Sequence, residues 1–307
     1  MGVLITGGTG FVGAEVARIL IEADGEHPVL MDLFPDREAV ADLAEAVTIV
    51  RGDFAEPAEL MAVLSAHNID AIVHLAYFTA AADLFPSQAA RVNGLGTTRL
   101  FELAHTTGVR RVVWPSSAAV YATSVTSATP VWHTEAEAPA PNTVYGASKL
   151  FNEHVAEAMA TRIGFDHIGL RLCSVFGPRR AGRRDIPPDF YARLLEPSDD
   201  APGLVAPPPD HVLTWAYVKD AARAFHAALH AEQPPRRVYN FSGPTATVRE
   251  AVDFAKSLDA RVDVSYGETG TRHLAYLDAG NLRADLGYEP RYTMQDAMTD
   301  YVGARRA

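Results

Sequence analysis

The 307-residue sequence predicts an α/β chain: a doubly wound parallel sheet with helices on both faces, and a smaller, discontinuous C-terminal α/β lobe. Three observations predict this class. Short apolar, β-branched runs alternate with helical patterns through the first half. A glycine-rich turn, Gly7-Gly8-Thr9-Gly10-Phe11-Val12-Gly13, separates the first such run from the first helical pattern. After Phe176 the alternation gives way to Gly177 to Asp210, dense in proline, arginine and aspartate, with Pro187-Pro188 and Pro207-Pro208-Pro209 as breakers.

Taken in order, Val3–Thr6 is a buried strand, and Ala14 to Ala23 repeats apolar residues at helical spacing. Val29-Leu30-Met31 is the second strand and ends in Asp32. Further strands are expected at Val47–Val50, Ala71–Leu75, Val109–Trp114 and His167–Ser174, with helices at Ala39–Ala46, Pro57–His67, Ala89–Thr107 and Val144–Ile163. Tyr217–Ala231 is helical again and Val238–Phe241 is a returning strand. Thr247-Val248-Arg249-Glu250 is a capping box that opens another helix. Val262–Tyr266 is a last short strand and Met294–Gly303 a final helix. The sheet domain is therefore expected to comprise residues 1–174 plus about 214–241, and the lobe about 175–213 plus 242–307.

Composition narrows the function classes. Hydrophobic content of 48% with 21% charged residues is that of a globular chain. The net charge of −11 argues against nucleic acid or an anionic membrane as partner. The single cysteine, Cys173, excludes an internal disulfide and fits a reducing compartment. No charged n-region precedes the first strand, and no apolar stretch approaches the roughly 20 residues that span a bilayer, so a cytoplasmic protein is expected. The eleven histidines show no ligand spacing except His226 and His230, one helical turn apart with no evident carboxylate or cysteine partner, so no metal is expected.

Strand, glycine turn and helix in that order suit a pyrophosphate. Gly7 permits the tight turn, Gly10 lets a phosphate approach bare backbone, and Gly13 lets helix and strand pack closely. The helix offers its N–H groups and positive dipole end to the anion. An ordinary strand–helix turn accounts for the triplet alone; Asp32 is what points to a dinucleotide. A carboxylate at the end of the second strand accepts both hydroxyls of an adenosine ribose and repels a 2′-phosphate, favouring NAD over NADP. Arg37 lies nearby and keeps a 2′-phosphate conceivable. The first half is thus a Rossmann-type domain.

Tyr145-Gly146-Ala147-Ser148-Lys149 carries the chemistry. Tyr145 and Lys149 share one face at a helix start. A nearby ammonium favours phenolate and lowers a tyrosine pKa from ~10. Such a tyrosine takes a proton from an alcohol while hydride leaves, or returns it in reduction. Ser116 and Ser117 follow the Val109–Trp114 strand, at the end of an open sheet where ligands bind. Ser117 is expected to orient the substrate oxygen, and Ser116 merely to cap the next turn.

Together these features resemble the extended short-chain dehydrogenase/reductase family, also called the NAD-dependent epimerase/dehydratase family. The resemblance runs almost the whole length. It includes Thr6 to Gly13, Gly52-Asp53-Phe54, His74-Leu75-Ala76, Asn93-Gly94-Leu95-Gly96-Thr97 and Ser116-Ser117-Ala118-Ala119-Val120-Tyr121. It continues through Tyr145-x-x-x-Lys149, Arg171 to Pro178 and Leu286-Gly287-Tyr288-x-Pro290. The resemblance implies a Ser117–Tyr145–Lys149 triad. It implies an NAD site made of Gly7, Gly10, Phe11, Val12, Gly13 and Asp32, with Asp53 at the adenine and Phe54 beside it. Leu75 and Ala76 would line the cofactor, Asn93 would lie close to it, Lys149 would hold the nicotinamide ribose, and Leu172, Cys173 and Ser174 would pass the nicotinamide ring. Tyr77, Phe78, Ser117, Ala118, Tyr145, Ser174 and Arg179 would face the substrate. Members often form homodimers by pairing the helices near 89–107 and 144–163 into a four-helix bundle.

Two departures lie on the substrate side. Sugar-nucleotide members carry Asn where this chain has Ser174, and an Arg-Asp pair where it has Leu213-Thr214. Leucine cannot replace a guanidinium on a diphosphate. Dehydratases carry an Asp-Glu pair where Ala118-Ala119 stands. The expected activity is therefore NAD-dependent oxidation or reduction of a sugar-like small molecule (free sugar, sugar acid or polyol). An epimerase that retains NAD is the alternative, and an NAD-sensing regulator a more distant one. Arg179, Arg180, Arg183 and Arg184 suit either an anionic substrate or a solvated loop; Arg179 completes the family's Gly-Pro-Arg turn.

Overall fold

A computed structural model describes residues 2–78, 82–125, 127–178, 190–198, 203–270 and 272–306. Seven strands form the central sheet: β1 (Val3–Thr6), β2 (Val29–Asp32), β3 (Thr48–Arg51), β4 (Ala71–His74), β5 (Arg111–Ser117), β6 (His167–Leu172) and β7 (Val238–Phe241). Their order is β7-β6-β5-β4-β1-β2-β3 and every pairing is parallel. The order reverses between β1 and β4, which opens the crevice where ligands bind in such sheets. Both sheet faces are covered, as a parallel sheet requires. Val3 and Ile5 pack on one face, and Leu4 between them on the other.

On the first face lie α1 (Phe11–Asp24) and, late in the chain, a helix at Val218–His230; on the second lie α2 (Pro57–Ala66), α3 (Thr97–Thr106) and α4 (Val144–Ile163). With α4 fixed, Val218–His230 is α5, followed by α6 (Val248–Leu258) and a final helix α7 (Met294–Arg306). Thr247 and Glu250 make the expected capping box at α6.

Among the departures from expectation are three element bounds and one contact. The Ala89–Thr107 helix starts at Pro86 and passes through a π-helical segment, Ala90–Gly96, before α3. Ala39–Ala46 is instead a 3₁₀ segment, Glu38–Leu43, broken by non-helical Val40. β5 runs on to Ser117, so the two serines belong to the strand rather than following it. Finally, α1 and α5 pack side by side and Asp24 reaches both His226 and His230, supplying the carboxylate that the sequence left unconnected.

Short strand pairs link the later segments. Val175–Phe176 pairs with Ala216–Tyr217, Leu204–Ala206 with Val264–Tyr266, and Val212–Thr214 with Thr245–Thr247.

A buried ion pair fastens α4 to the sheet. Glu153 on α4 receives Arg171 of β6 through both carboxylate oxygens, at 2.9 and 2.7 Å. Each residue is 6% exposed. Ser116 of β5 donates to the same carboxylate at 2.5 Å, and Arg171 also donates to the Tyr121 hydroxyl. Ser116 therefore does not cap the turn; the glutamate claims its proton. Glu153→Ala should cost on the order of 3–5 kcal/mol, because Arg171 is left buried without its counter-charge. Urea unfolding of the variant measures this.

Candidate active site at the carboxyl ends of the sheet

The glycine turn places backbone where a phosphate needs it. Gly7 has φ of +69°, and a Cβ there would stand 2.8 Å from the Ala76 nitrogen. A Cβ on Gly13 would meet the Gly7 carbonyl oxygen at 2.3 Å. Gly10 is the N-cap of α1 and has no side chain to occupy it, and no acidic residue lies in the first turn. That open helix end fits an anion such as a dinucleotide pyrophosphate, with Phe11, Val12 and Gly13 opening the helix. Across the crevice, the Leu75 N–H donates to the Thr6 carbonyl at 2.9 Å, which carries Leu75 and Ala76 alongside the turn.

Asp32 closes β2 and accepts from Thr9 Oγ1 at 2.9 Å, which fixes its carboxylate beside the glycine turn. Asp53 accepts from the Ala55 N–H at 2.9 Å and pairs with Arg91 at 3.3 Å. Phe54 is buried, its ring edge-on to His74 at 4.7 Å. Asn93 is fully buried and bonds the Phe78 backbone both ways, Oδ1 to N–H at 2.9 Å and Nδ2 to C=O at 2.8 Å. It thereby holds the strand-end segment that carries Leu75 and Ala76. Cys173 is buried, and burial pushes its thiol up to about 11. Ser174 beside it is half-buried.

The part of the candidate site at the start of α4 is organised around Lys149. Its Nζ donates to the Pro115 carbonyl at 2.6 Å, lies 2.9 Å from the centre of the Tyr77 ring, and stands 5.5 Å from the centre of the Tyr145 ring. Only 1% of Lys149 is exposed, and burial pulls its ammonium well below the usual lysine range, Glu153 opposing. Tyr145 is half-buried in the first turn of α4, which Thr143 caps by accepting the Gly146 N–H at 3.0 Å. Gly146 is what lets α4 come close: a Cβ there would fall 2.3 Å from the Ala119 carbonyl oxygen. That contact joins the turn after β5, which Ser117 caps, to the start of α4, which carries Tyr145.

Ser117 Oγ accepts the Ala119 N–H at 3.1 Å, so this serine is the one that caps the turn. A hydroxyl that accepts there keeps its proton for a second partner. Ala118 is buried beneath it. Tyr77 turns its hydroxyl inward, where Asn152 Nδ2 donates to it at 2.5 Å, and burial raises its pKa. Phe78 is half-buried. Arg179, with Arg180, Arg183 and Arg184, lies outside the described residues.

Sequence reasoning missed Asn152, Glu153 and His74 as parts of this site. Asn152 and Glu153 follow Lys149 by three and four residues, so helical spacing already put them on its face. His74 had no local signal. It joins Thr6 at 2.7 Å and Thr97 at 3.1 Å, contacts that exist only once β4 lies beside β1 and α3 packs on the sheet. Full burial lowers its pKa to about 3, with Lys149 adding to the effect.

An α/β enzyme of dinucleotide type is what this fold and cleft define. The comparisons specify it further: the NAD dependent epimerase/dehydratase family matches residues 3–242, and the chain belongs to that family. It is an NAD-dependent enzyme, as Asp32 behind the glycine turn led one to expect. It is similar to dTDP-glucose 4,6-dehydratase of Salmonella typhimurium, 25% identical, covering 98% of this chain and 92% of that protein. It is similar also to UDP-glucose 4-epimerase of Neisseria gonorrhoeae, 27% identical over 98% of this chain and 96% of that protein. Among solved structures, MoeE5 in complex with UDP-glucuronic acid and NAD superposes with a TM-score of 0.80 at 26% identity, covering 100% of this chain and 99% of that one. Among the described residues no helix is long and apolar enough to cross a membrane.

Two buried imidazoles set an acid limit on the fold. His74 sits at about 3 and His167 at about 4, both through burial, against about 6.5 when unfolded. Between these values the unfolded chain binds protons that the folded chain refuses. Stability is therefore full above about pH 6.5 and falls as pH drops, by up to about 1.4 kcal/mol per pH unit per histidine. His74→Asn should flatten the slope of urea-derived stability between pH 6.5 and 4.

Proposed function

We propose that the protein is an NAD-dependent oxidoreductase acting on a hydroxyl or carbonyl of a sugar-like substrate that carries no nucleotide. The observation that carries this reading is Leu213. It is 3% exposed on the strand Val212–Thr214, and its neighbour Thr214 is wholly buried. At this position the family's sugar-nucleotide enzymes present an arginine to a diphosphate; here the side chain is part of the apolar core.

NAD, when bound, supplies the two-electron acceptor for hydride from the substrate's carbinol carbon. Gly10, Phe11, Val12 and Gly13 would hold its pyrophosphate and Asp32 its adenosine ribose. Tyr145 takes the hydroxyl proton as general base in oxidation, or returns it in reduction. Lys149 stabilises the phenolate from within the protein, where a charge is weakly screened. Ser117 donates to the substrate oxygen and keeps it within reach of Tyr145. Cys173 and Ser174 would lie along the nicotinamide side, with Tyr77, Phe78 and Arg179 toward the substrate. The division into a cofactor domain (1–174 with about 214–241) and a substrate lobe (about 175–213 with 242–307) is part of the same proposal.

Tyr145→Phe should retain NAD binding, followed by nicotinamide fluorescence, and lose turnover by on the order of 10²–10⁴. Wild-type turnover in that variant overturns the mechanism. A screen of free sugars, aldonic and uronic acids and polyols for NADH formation tests the substrate class.

An NAD-retaining epimerase is the second reading, favoured by the UDP-glucose 4-epimerase relative. Protein purified with stoichiometric NAD and no net NADH formation supports it over the first.

We also propose a homodimer through the helices that flank the site. Leu95 and Phe151 are 47% and 50% exposed, and Phe151 lies across Gly94. Phe151→Glu should convert a dimer into a monomer in light scattering; a wild-type monomer refutes the assembly.

A further inference from the structure

We propose that Asp24, His226 and His230 form a site for a divalent transition-metal ion such as zinc, with water completing its coordination. His226 and His230 stand one turn apart on α5, ring centres 4.5 Å from each other. Both turn Nε2 to a single carboxylate oxygen, Asp24 Oδ2, at 3.0 Å each, and His226 is also 3.1 Å from Oδ1. One donor atom from each residue lies within 4.8 Å of the others. Ligand atoms bound to a tetrahedral ion at about 2.0–2.1 Å are spaced about 3.3 Å apart, so an ion enters with small side-chain adjustments. Two imidazole nitrogens and one carboxylate oxygen are a borderline donor set, suited to zinc rather than to calcium or magnesium.

The backbone supports the same reading. Asp24 is the last residue of α1, which Gly25 terminates in the left-handed conformation, and His230 is the last residue of α5. Both helix ends carry the negative pole of the peptide dipoles, which favours a cation. Buried alanines on the two helices, Ala14 and Ala17 with Ala221 and Ala224, let them pack closely, so the ligands stand on rigid elements. The side chains of Asp24, His226 and His230 are 20%, 25% and 42% exposed, which gives the ion and its water an entry path. The glycine turn is at the opposite end of α1, about 20 Å away at 1.5 Å per residue. The ion would therefore clamp α1 to α5 and take no part in hydride transfer.

Chelator-treated full-length protein titrated with zinc chloride in a calorimeter provides the test, with a thermal scan in zinc and in EDTA. One zinc per chain is expected, with a higher melting temperature in zinc. In His226→Ala and in His230→Ala the affinity should fall by more than about tenfold, the least that losing even an outer-shell partner of a ligand commonly produces, and the thermal shift should vanish. NAD binding should be unchanged in both. The proposal is overturned if wild type takes up no more zinc than the His226→Ala/His230→Ala double variant.

Discussion

A lysine ammonium withheld from water organises the candidate site of this protein. Removing a cation from solvent is costly unless partners replace its hydration. Lys149 finds a carbonyl at Pro115, a ring face at Tyr77 and a carboxylate one turn on at Glu153. The Pro115 contact depends on where the strands end. β4 pairs with β5 only as far as Val113, whereas β6 continues alongside to Ser117. Proline lacks the N–H that a continuing β4 would have used, and its carbonyl on the same edge is left for the lysine. The position of one proline in β5 thus supplies both the gap and the acceptor.

The remaining parts of the cleft are held by contacts made for that lysine. Glu153 opposes the loss of the ammonium and also takes Arg171 and Ser116, so α4, β5 and β6 share one carboxylate. Asn152 bonds the Tyr77 hydroxyl and the Asn93 carbonyl, and Asn93 in turn bonds the Phe78 backbone. The segment beyond β4 is therefore fixed from the same helix that carries Tyr145. On the other flank, the absence of a side chain at Gly146 lets α4 meet Ala119. Polar groups buried this completely rigidify a site because each is costly to leave unpaired.

What was legible in the sequence follows from how local each signal is. All seven strands of the sheet and the bounds of α4 follow from periodicity, and Gly7, Gly10 and Gly13 from one continuous turn. Tyr145 and Lys149 are legible because a single helical turn joins them. The turn cap expected of Ser116 falls to Ser117, because the partner of Ser116 lies 37 residues away on α4. His74 meets Thr6 through sheet register and Thr97 through the packing of α3 on the sheet, and Asp24 meets His226 across 202 residues of chain. The π-helical segment at Ala90–Gly96 escaped because its apolar spacing differs little from that of an α-helix over so short a run.

The same distinction explains why the cofactor is easier to read than the substrate. A pyrophosphate is held by backbone, and backbone demands glycine at fixed intervals, which survives as a pattern. A substrate is selected by side chains drawn from separate segments. Leu213 illustrates the difference: in sequence it is one apolar residue among many, and in the fold it occupies a strand paired with Thr245–Thr247, wholly within the core. To restore an arginine there, the chain would have to move the guanidinium out of an apolar layer or pair it inside, each at a cost of several kcal/mol. Ala118 and Ala119 pose the same barrier, since both are buried, Ala119 with its carbonyl against Gly146 of α4, and an Asp-Glu pair there would need polar partners. Around Leu213 and Ala119 the chain has thus spent its side chains on apolar packing rather than on charged groups.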